Sequence, residues 1–262
     1  MFDKFIRAGN GTWASLALLI AFLIGWEWGP ALFGIPAYFI PPASLVFEEF
    51  IRAFGAERLL FHTGITAIET AAGFIIGSGF GMLIGYALGV SIRAELILSP
   101  YILALQIAPK VAFAPLFVLW MGFTVYPKIL VSVLIVFFPI MINVMSAVRT
   151  VDPDLVNLAR TFNASRWQIF KKIEFPAALP PLFSGLRIAA TFAIIGVVVG
   201  EMVGGNMGLG FVLVFAEGAA NTSLVFVSII MLTIVGVIAY VLVIFAEKRV
   251  LHYMPKADYN PI

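Results

Sequence analysis

Long apolar runs separated by short polar stretches fill most of the chain. An α-helix needs about 20 residues to cross the hydrocarbon core of a bilayer, and each run is near that length. We therefore expect an all-α, polytopic membrane protein with about six transmembrane helices, and a single transmembrane domain over residues 1–262. The predicted spans are about 12–35, 63–90, 96–121, 129–148, 183–203 and 223–246.

The first apolar run follows a short stretch that carries Lys4 and Arg7. A secretory signal peptide also begins with a basic stretch and an apolar run. This run is longer than that of a signal peptide and lacks a small-residue cleavage site. Trp13, Trp26 and Trp28 lie near its ends, as in the aromatic belts of membrane interfaces. It therefore predicts a retained span.

A polar segment, Asp152–Pro176, lies between the fourth and fifth predicted spans. Asp152 suits the N-cap of a helix and Pro153 suits its first position, while Asn163 tolerates the left-handed conformation that ends helices. The apolar residues between them recur at helical spacing and are Leu155, Leu158, Ala159 and Phe162. The first half therefore predicts a short amphipathic helix.

The second half of this segment predicts another helix. Ser165 and Gln168 have the spacing of a capping box, and Pro176 is expected to end the helix. Its basic residues are Arg166, Lys171 and Lys172. The whole segment is thus a helix, a turn and a helix with one apolar and one charged side, which fits either a loop on the membrane surface or a docking element for a soluble partner.

A shorter amphipathic stretch follows the first predicted span. Ser44 is expected to cap its helix and Gly55 to end it. Apolar side chains share one face with Phe47 and Ile51, and charged residues occupy the rest. Two interpretations stay open: a helix lying in the membrane interface, or a helix packed outside the membrane.

Glycine recurs every four residues in the second predicted span, at Gly73, Gly77, Gly81 and Gly85. Small residues along one face allow two helices to approach closely in lipid. We therefore expect this stripe to pack against another helix rather than to bind a ligand.

Composition agrees with a membrane protein, because 62% of the 262 residues are hydrophobic and 11% are charged, with a mean hydropathy of +1.06. Soluble domains have about 25% charged residues. A net charge of +2 gives no reason to expect nucleic acid as a partner. Cysteine is absent, and His62 and His252 lie far apart in sequence, so we expect neither thiol chemistry nor a metal site. No G-x-x-x-x-G-K-[ST] loop for binding ATP occurs.

Lysine and arginine are concentrated on one side of the predicted membrane, which the positive-inside rule makes cytoplasmic. Both termini and the segment Asp152–Pro176 are then cytoplasmic. Arg187, just inside the fifth span, is expected to reach lipid phosphates or this segment. The cytoplasmic cations are Lys4, Arg7, Arg93, Arg149, Arg160, Arg166, Lys171, Lys172, Lys248, Arg249 and Lys256, and the outer ones are Arg52, Arg58 and Lys128.

Polar groups within spans are costly, so each is a candidate functional group. Glu69 and Glu201 lie toward the outer ends of the second and fifth spans, roughly 10 Å from mid-membrane, and Lys110 lies near the middle of the third. Gln106 and Asn143 also lie at membrane depth. The alternatives are a buried Lys–Glu pair between helices, or a substrate pathway in which Lys110 meets a polar or anionic solute and the carboxylates form an outer gate.

The polar segment keeps the spacing of a known loop: EAA, three residues, Gly, nine residues, Ile-x-Leu-Pro. The matching residues are Asn157-Leu158-Ala159, Asn163 and Ile173-Glu174-Phe175-Pro176, and four of them depart from the pattern: Asn157, Leu158, Asn163 and Phe175. Further matching runs are Ala108-Pro109-Lys110, Ala114-Pro115-Leu116, Phe137-Phe138-Pro139, Gly185-Leu186-Arg187 and Gly208-Leu209-Gly210. The chain thus resembles the permeases of binding-protein-dependent ABC importers, in the branch for nitrate, sulfonates, taurine and thiamine-pyrimidine or riboflavin precursors.

The resemblance implies a type I ABC importer permease fold, a homodimer, and a cytoplasmic coupling loop at about residues 149–176. It implies two cytoplasmic ABC ATPases, which hold the ATP and Mg, and an extracytoplasmic substrate-binding protein. No cofactor is expected in this chain, whose expected location is a bacterial inner membrane. The expected ATPase-docking residues are Asn157, Leu158, Ala159, Arg160, Phe162, Asn163, Ile173 and Pro176.

Two other classes of protein fit the composition. An ATP-independent channel or secondary transporter for a small solute is the main alternative, but it gives no role to the spacing of the polar segment. A membrane-embedded enzyme requires a nucleophile with its base, or a set of metal ligands, and the sequence offers no such cluster.

Overall fold

The structure is a computed structural model that describes residues 2–55, 58–149 and 151–252. Most of this part is helical, with a 3₁₀ turn at Lys110–Phe113 and a π turn at Phe170–Glu174. In chain order the α-helices are α1 (Phe2–Leu32), α2 (Ala43–Gly55), α3 (Leu59–Gly89), α4 (Ile92–Ile107), α5 (Ala114–Met121), α6 (Val125–Arg149), α7 (Pro153–Thr161), α8 (Arg166–Ile169), α9 (Phe175–Gly204), α10 (Leu209–Gly218) and α11 (Thr222–Val250).

Five helical segments in the described part are long and apolar enough to cross a membrane, and one bent pair brings the number to six. The five contain α1, α3, α6, α9 and α11 and coincide with predicted spans. The prediction of an all-α protein with about six spans is therefore confirmed.

The third predicted span, which Pro100, Pro109 and Pro115 interrupt in the sequence, is broken at Pro109. α4 and the segment Lys110–Met121 meet at an angle of 78°. Proline lacks an N–H group and disfavours the helical conformation in the residue before it, and Ala108, which precedes Pro109, is extended with φ −53° and ψ 134°. Lys110 consequently lies at a break between two helices and not in the middle of a continuous one.

The glycine stripe of α3 lies directly against α6, which confirms its predicted role in helix packing. A Cβ atom added at Gly77 would lie 2.9 Å from the carbonyl oxygen of Val133, and one at Gly81 would lie 2.8 Å from that of Phe137. Real Cβ atoms essentially never come this close to a heavy atom. The two backbones can approach to this distance only because α3 presents glycine there.

The order of these contacts shows that α3 and α6 run in the same direction. Gly77 faces Val133, and further along α3 Gly89 faces Met145. Because both helices cross the membrane in the same sense, the chain between them must return to the starting side. The bent pair formed by α4 and Lys110–Met121 is therefore a complete crossing.

An adjoining face of α6 packs against α9, which runs antiparallel to it. Gly196 of α9 faces Ser132, whereas Gly185, an earlier residue, faces the later residue Asn143. Ser132 is also the neighbour of Gly73 on α3, so the two faces meet at this residue. α6 is thus the central helix of this part of the molecule, with two glycine-lined neighbours.

Two ion pairs join helices near the far end of α6. Arg149 of α6 pairs with Glu95 of α4. Arg187 of α9 pairs with Glu247 of α11, at 3.4 Å from Nε to Oε2. The structure thus gives Arg187 a carboxylate partner on the neighbouring helix, and its contact with lipid phosphates or with the polar segment stays a prediction.

The described residues fall into two compact units, of which one combines those up to residue 60 with 212–230 and the other combines those between 61 and 211 with 231–252. In the first unit Ser44 does not act as the expected N-cap, because α2 already begins at Ala43. Glu27 of α1 accepts hydrogen bonds from the amide and hydroxyl of Ser44, at 2.9 and 2.8 Å. A carboxylate at a helix N-terminus satisfies the free amides there.

α2 is amphipathic, as expected, with Phe47 and Ile51 exposed. Its polar side carries Glu49, which accepts hydrogen bonds from Arg52 and from Asn221, the latter at 2.9 Å. The hydrogen bond from Arg52 is the main reason why the pKa of Glu49 lies below its ordinary value.

Three of the cations that predict cytoplasmic termini are Lys4, Arg7 and Lys256. Lys256 lies outside the described residues, as do the side chains of Lys4 and Arg7. The cytoplasmic location of both termini stays a prediction.

Candidate functional site

The first helix of the polar segment forms as predicted. α7 begins at Pro153, and the side chain of Asp152 accepts a hydrogen bond from the amide of Asp154 at 2.8 Å. Asn163 follows the helix with φ +57°, in the left-handed region that asparagine tolerates. A well-defined start and stop fix the direction of this short helix.

The second helix also starts as predicted, with both bonds of the capping box. The amide of Ser165 donates to Gln168 Oε1 at 2.7 Å, and the amide of Gln168 donates to Ser165 Oγ at 3.3 Å. The prediction that Pro176 ends this helix is wrong, because the π turn Phe170–Glu174 leads directly into α9 and Pro176 lies in the first turn of α9. The wider π turn accommodates the proline ring, which would clash with a carbonyl in a regular α-helix.

The helix that contains the fifth span starts well before residue 183. Arg166–Gly204 is one helical segment of 39 residues, and it includes Pro180 and Pro181. The second half of the polar segment, from Arg166, is thus continuous with a membrane-crossing helix, and the turn at Asn163 separates it from α7.

The apolar stripe of α7 is exposed. Leu158 is 56% exposed and Phe162 is 79% exposed, and Leu155 on the same stripe is exposed as well. Of the eight predicted docking residues, five are exposed, namely Asn157, Leu158, Arg160, Phe162 and Asn163, and three are half-buried, namely Ala159, Ile173 and Pro176. An apolar stripe on an otherwise charged segment is typical of a surface that a partner covers.

At the opposite end of α6, two predicted pathway carboxylates belong to one buried polar cluster. Lys128 Nζ of α6 donates to Glu69 Oε1 of α3 at 2.8 Å, and the two residues are 2% and 3% exposed. Glu201 of α9 is 1% exposed and interacts electrostatically with both of them. Glu69 and Glu201 therefore lie at similar depth, as expected.

The cluster also holds the loop that follows α9. Glu201 Oε1 accepts a hydrogen bond from the hydroxyl of Thr66 at 2.7 Å, and its Oε2 accepts one from the amide of Gly210 at 2.6 Å. Gly208 has φ +103°, which favours glycine, and its amide donates to His62 Nδ1 at 3.0 Å. One carboxylate thus connects α9, α3 and the glycine-rich loop.

This geometry agrees with the first of the two alternatives, a buried Lys–Glu pair between helices, but the lysine is a different one. The sequence suggested Lys110 as the partner of the carboxylates, whereas the structure pairs Glu69 with Lys128. Lys128, expected only to lie on the outer side, lies within the first turn of α6 and is buried. An outer-gate role for Glu69 and Glu201 stays a prediction.

Lys110 lies apart from this cluster, at the break in the third span. Its Nζ donates to the carbonyl oxygens of Gln106, at 2.5 Å, and Ala108, at 3.4 Å, and lies 4.8 Å from the centre of the Phe138 ring. A cation is favourable beside the unsatisfied carbonyls at the C-terminus of α4. Broken helices in transporters line binding sites, so this position suits a pathway residue as well.

The remaining two predicted pathway residues differ in their surroundings. The side chain of Gln106 is exposed near the end of α4. Asn143 is half-buried between α6 and Gly185, and its side-chain amide donates to the carbonyl oxygen of Pro139 at 2.8 Å. Asn143 therefore has a structural role in the helix interface, and contact of either residue with a substrate stays a prediction.

The sequence interpretation missed Lys128 and the pair formed by Tyr86 and Glu174, whose side chains meet at 3.0 Å. The position of Lys128 could have been predicted from the sequence, because this lysine directly precedes the apolar run of the fourth span, at the depth of Glu69. No local pattern links Tyr86 to Glu174, because 88 residues separate them.

A family comparison covers most of the chain. Residues 77–252 match the family described as "Binding-protein-dependent transport system inner membrane component". This range includes the polar segment and the spans on both sides of it.

Individual relatives match over nearly their whole length. The chain is 36% identical to the riboflavin transport system permease protein RibX of Chloroflexus aurantiacus, over 92% of this chain and 91% of RibX. It is 34% identical to the putative aliphatic sulfonates transport permease protein SsuC of Bacillus subtilis, over 92% and 88% of the two chains. It is 30% identical to the formylaminopyrimidine transport permease protein ThiX of Halalkalibacterium halodurans, over 89% and 93%.

A solved structure has the same fold. A chain of the inward-facing MetNI methionine ABC transporter matches with a TM-score of 0.62 and 20% identity, over 74% of this chain and 95% of that chain.

Proposed function

This chain belongs to the family of binding-protein-dependent transport system inner membrane components and is the permease subunit of an ABC importer, and we propose that it imports a small polar or anionic solute. It is a multi-pass inner membrane protein and not an enzyme, since ATP hydrolysis belongs to a separate subunit. This identification replaces the alternatives of an ATP-independent channel and of a membrane-embedded enzyme.

The polar segment is the docking site for that ATPase in this proposal. The observation that carries it is the exposed apolar stripe of α7, at Leu158 and Phe162, which the turn at Asn163 joins to the helix that continues from Arg166 into α9. An ATPase that covers this stripe gains buried apolar surface. Because the backbone from Arg166 to Gly204 is helical throughout, a displacement of the docked segment is transmitted to a membrane-crossing helix.

In the assembled importer, two copies of this chain would each bind one ATPase through this segment. Closure of the ATPases on ATP would move both segments, and an extracytoplasmic binding protein would deliver the solute at the opposite face. The homodimer and the cytoplasmic location of the segment are part of this proposal.

Lys110 supports a polar or anionic solute. It lies at the break in the third span, and its ammonium group has three N–H bonds, of which two meet the carbonyl oxygens of Gln106 and Ala108. The third can bind an anionic group of a solute passing the break. Within the transport branch we favour the riboflavin and pyrimidine-precursor class, on the resemblance of the run from Ala108 to Pro115 and on the relatives that transport riboflavin and formylaminopyrimidine.

The docking proposal is tested by isolating the complex. The chain is extracted from membranes in mild detergent and captured by a tag, and the eluate is analysed for a protein with a Walker-type ATP site and for vanadate-sensitive ATP hydrolysis. We expect an ATPase to be retained. Recovery of the permease alone, with solute uptake that continues after ATP depletion, would contradict the proposal.

The substrate class is tested in proteoliposomes that contain the permease, its ATPase and the binding protein encoded beside them. Uptake of radiolabelled riboflavin, taurine and nitrate is compared, with unlabelled formylaminopyrimidine as a competitor. We expect ATP-dependent uptake of riboflavin, or binding of formylaminopyrimidine by the binding protein. Uptake of taurine or nitrate alone would contradict the riboflavin and pyrimidine-precursor class and indicate a sulfonate or nitrate importer.

A further inference from the structure

The polar segment Asp152–Pro176, which is the docking segment of the proposed function, makes a polar contact with α3. The hydroxyl of Tyr86, on α3, donates a hydrogen bond to Glu174 Oε2 at 3.0 Å. Glu174 is the last residue of the π turn between α8 and α9. The contact therefore joins a membrane-crossing helix to the point where the docking segment becomes another one.

Aromatic rings surround this hydrogen bond. The ring of Phe170, the first residue of the π turn, stands edge-on to Tyr86, with centroids 4.8 Å apart. Trp167 and Phe175 lie 5.3 and 5.6 Å from the same ring. Phe170 packs against Tyr86, and Trp167 and Phe175 support Phe170, so the Tyr86 hydroxyl stays directed toward Glu174.

The π turn is a place where the helix can change register. A π turn holds one more residue than an α turn, and such turns occur frequently at functional sites. Its conversion into α-helix would rotate the segment before it by about 100° and move it by about 1.5 Å relative to α9. Glu174 and Phe170 would then turn away from Tyr86. The hydrogen bond between Tyr86 and Glu174 therefore forms only in the π register and stabilises it.

The structure leaves space for such a movement. A cavity of about 400 Å³ lies beside the pair, between α3, α6 and α9. Tyr86 and Glu174 line it together with apolar groups of these helices, among them Met82, Val144 and Leu182. The cavity is half open to the surface, where Leu83 and Phe175 are exposed, and it lets the aromatic rings shift without collision.

We propose that the Tyr86–Glu174 hydrogen bond is a latch that makes α3 follow the docking segment when the ATPases close. α9 is covalently continuous with the segment, whereas α3 is linked to it through this contact. Tyr86 is thus a positioning residue for energy coupling. The inference rests on the proposed function, because it requires an ATPase that moves the segment.

The test uses the complete complex, with the permease labelled at two introduced cysteines. The parent chain has no cysteine, so Leu83→Cys on α3 and Lys171→Cys in the π turn provide unique sites for spin labels. The distance between the labels is measured without nucleotide and after trapping with ATP and vanadate. ATP hydrolysis stimulated by the binding protein is measured in the same preparations.

In the otherwise unchanged complex, the two labels are expected to move together, so trapping changes their distance little. Tyr86→Phe keeps the ring and removes the hydroxyl. We expect the distance between the labels to change on trapping in this variant. We also expect stimulation of ATP hydrolysis to fall about tenfold, because the variant loses one hydrogen bond to a charged group. Glu174→Gln keeps an acceptor and should retain most of the coupling, whereas Glu174→Ala should not.

Tyr101→Phe, at an exposed tyrosine of α4, is the matched control and should behave like the parent. If Tyr86→Phe also behaves like the parent in both measurements, the latch is refuted and the proposed function is untouched. If the parent chain itself binds no ATPase, the proposed function fails and the latch fails with it.

Discussion

At the scale of single residues, the buried charges of this permease are stable because each lies beside a partner of opposite sign or a set of hydrogen-bond donors. Glu69 has Lys128, and Glu201 has the hydroxyl of Thr66 and the amide of Gly210. An unpaired charge in the apolar interior of a span is costly. The cluster therefore holds α3, α6 and α9 together at one end.

Lys128→Met is expected to destabilise the chain strongly. It leaves the buried carboxylate of Glu69 without its cation, and breaking a buried pair on one side costs about 3–5 kcal/mol. The measurement is thermal unfolding of the purified permease in detergent. Adding Glu69→Gln should restore most of the loss, because no unpaired charge then remains.

Lys172→Met is the matched control for this experiment, because Lys172 is exposed on the π turn, and it should leave the unfolding temperature nearly unchanged. Equal stability of Lys128→Met and the parent would show that the pair does not hold the helices together.

Lys110→Ala is expected to reduce uptake of the solute about tenfold while leaving ATP hydrolysis coupled to the binding protein. The reason is the loss of one charge-assisted hydrogen bond at the break in the third span. Uptake and ATP hydrolysis are measured together in proteoliposomes, and Lys110→Arg, which keeps the charge, should retain part of the uptake. Normal uptake by Lys110→Ala would leave Lys110 with only its structural role at the end of α4.

Sequence reasoning found the depth of the carboxylates but not their cation. Counting residues along the spans was enough to place Glu69 and Glu201 at one level. It failed for Lys110 because Pro109 breaks the helix, so a straight-span calculation of depth does not apply there. It failed for Lys128 because a lysine directly before an apolar run looks the same whether it is exposed or paired with another helix.

At the scale of elements, α6 organises the second unit, because α3 and α9 both pack against it through glycines, on faces that meet at Ser132. The spacing of Gly77 and Gly81 predicted close packing, and their neighbours on α6 are backbone carbonyls, which cannot move aside as a side chain can. Substitutions in this stripe must therefore separate the two helices.

Gly81→Leu is expected to destabilise the permease. Its Cβ atom would lie 2.8 Å from the carbonyl oxygen of Phe137 and 2.9 Å from Cβ of Ile140. Overpacking costs about 1–3 kcal/mol, and we expect the upper end here because a backbone atom is involved. Thermal unfolding in detergent gives the measurement. Gly79→Leu is the control on the same helix, since nothing lies within 4 Å of the Cβ position there.

Ala159→Asp is expected to weaken ATPase binding at least tenfold while membrane insertion stays normal. The substitution introduces a charge into the stripe that Leu158 and Phe162 expose, and an interface that covers it would have to desolvate that charge. Retention of the ATPase on the tagged permease is the measurement. Thr161→Asp, which adds the same charge on a different side of α7, is the control; equal loss in both variants would remove the stripe from the interface.

The same segment shows how far local signals reach. Caps and turn residues were predicted correctly at Asp152, Asn163 and Ser165, because each acts on backbone groups within three residues of itself. The continuation through Pro176 was not predicted, because a proline in the first turn of a helix and a proline after its end look alike in sequence. The π turn that decides between them is stabilised partly by Tyr86, which is distant in sequence.

At the scale of the second unit as a whole, two different polar sites lie at opposite ends of α6. The buried cluster at Lys128 lies near its start, and the docking segment follows its end at Arg149. A helix of 25 residues is about 37 Å long, which exceeds the hydrocarbon thickness of a bilayer. The two sites must therefore lie on opposite sides of the membrane, and the distribution of lysine and arginine predicts which side is which.

This arrangement makes a prediction that does not depend on transport. Because the chain has no cysteine, Ser165→Cys in the docking segment and Thr124→Cys, just before α6, each introduce one accessible thiol. In intact cells a membrane-impermeant maleimide should label Thr124→Cys and not Ser165→Cys, and permeabilised cells should label both. α6 lies between the two thiols and is long enough to cross the membrane, so the thiols cannot both be reached from one side. Labelling of both in intact cells would show that α6 does not cross the membrane, and labelling of Ser165→Cys alone would reverse the orientation and place the docking segment on the side that has no ATP.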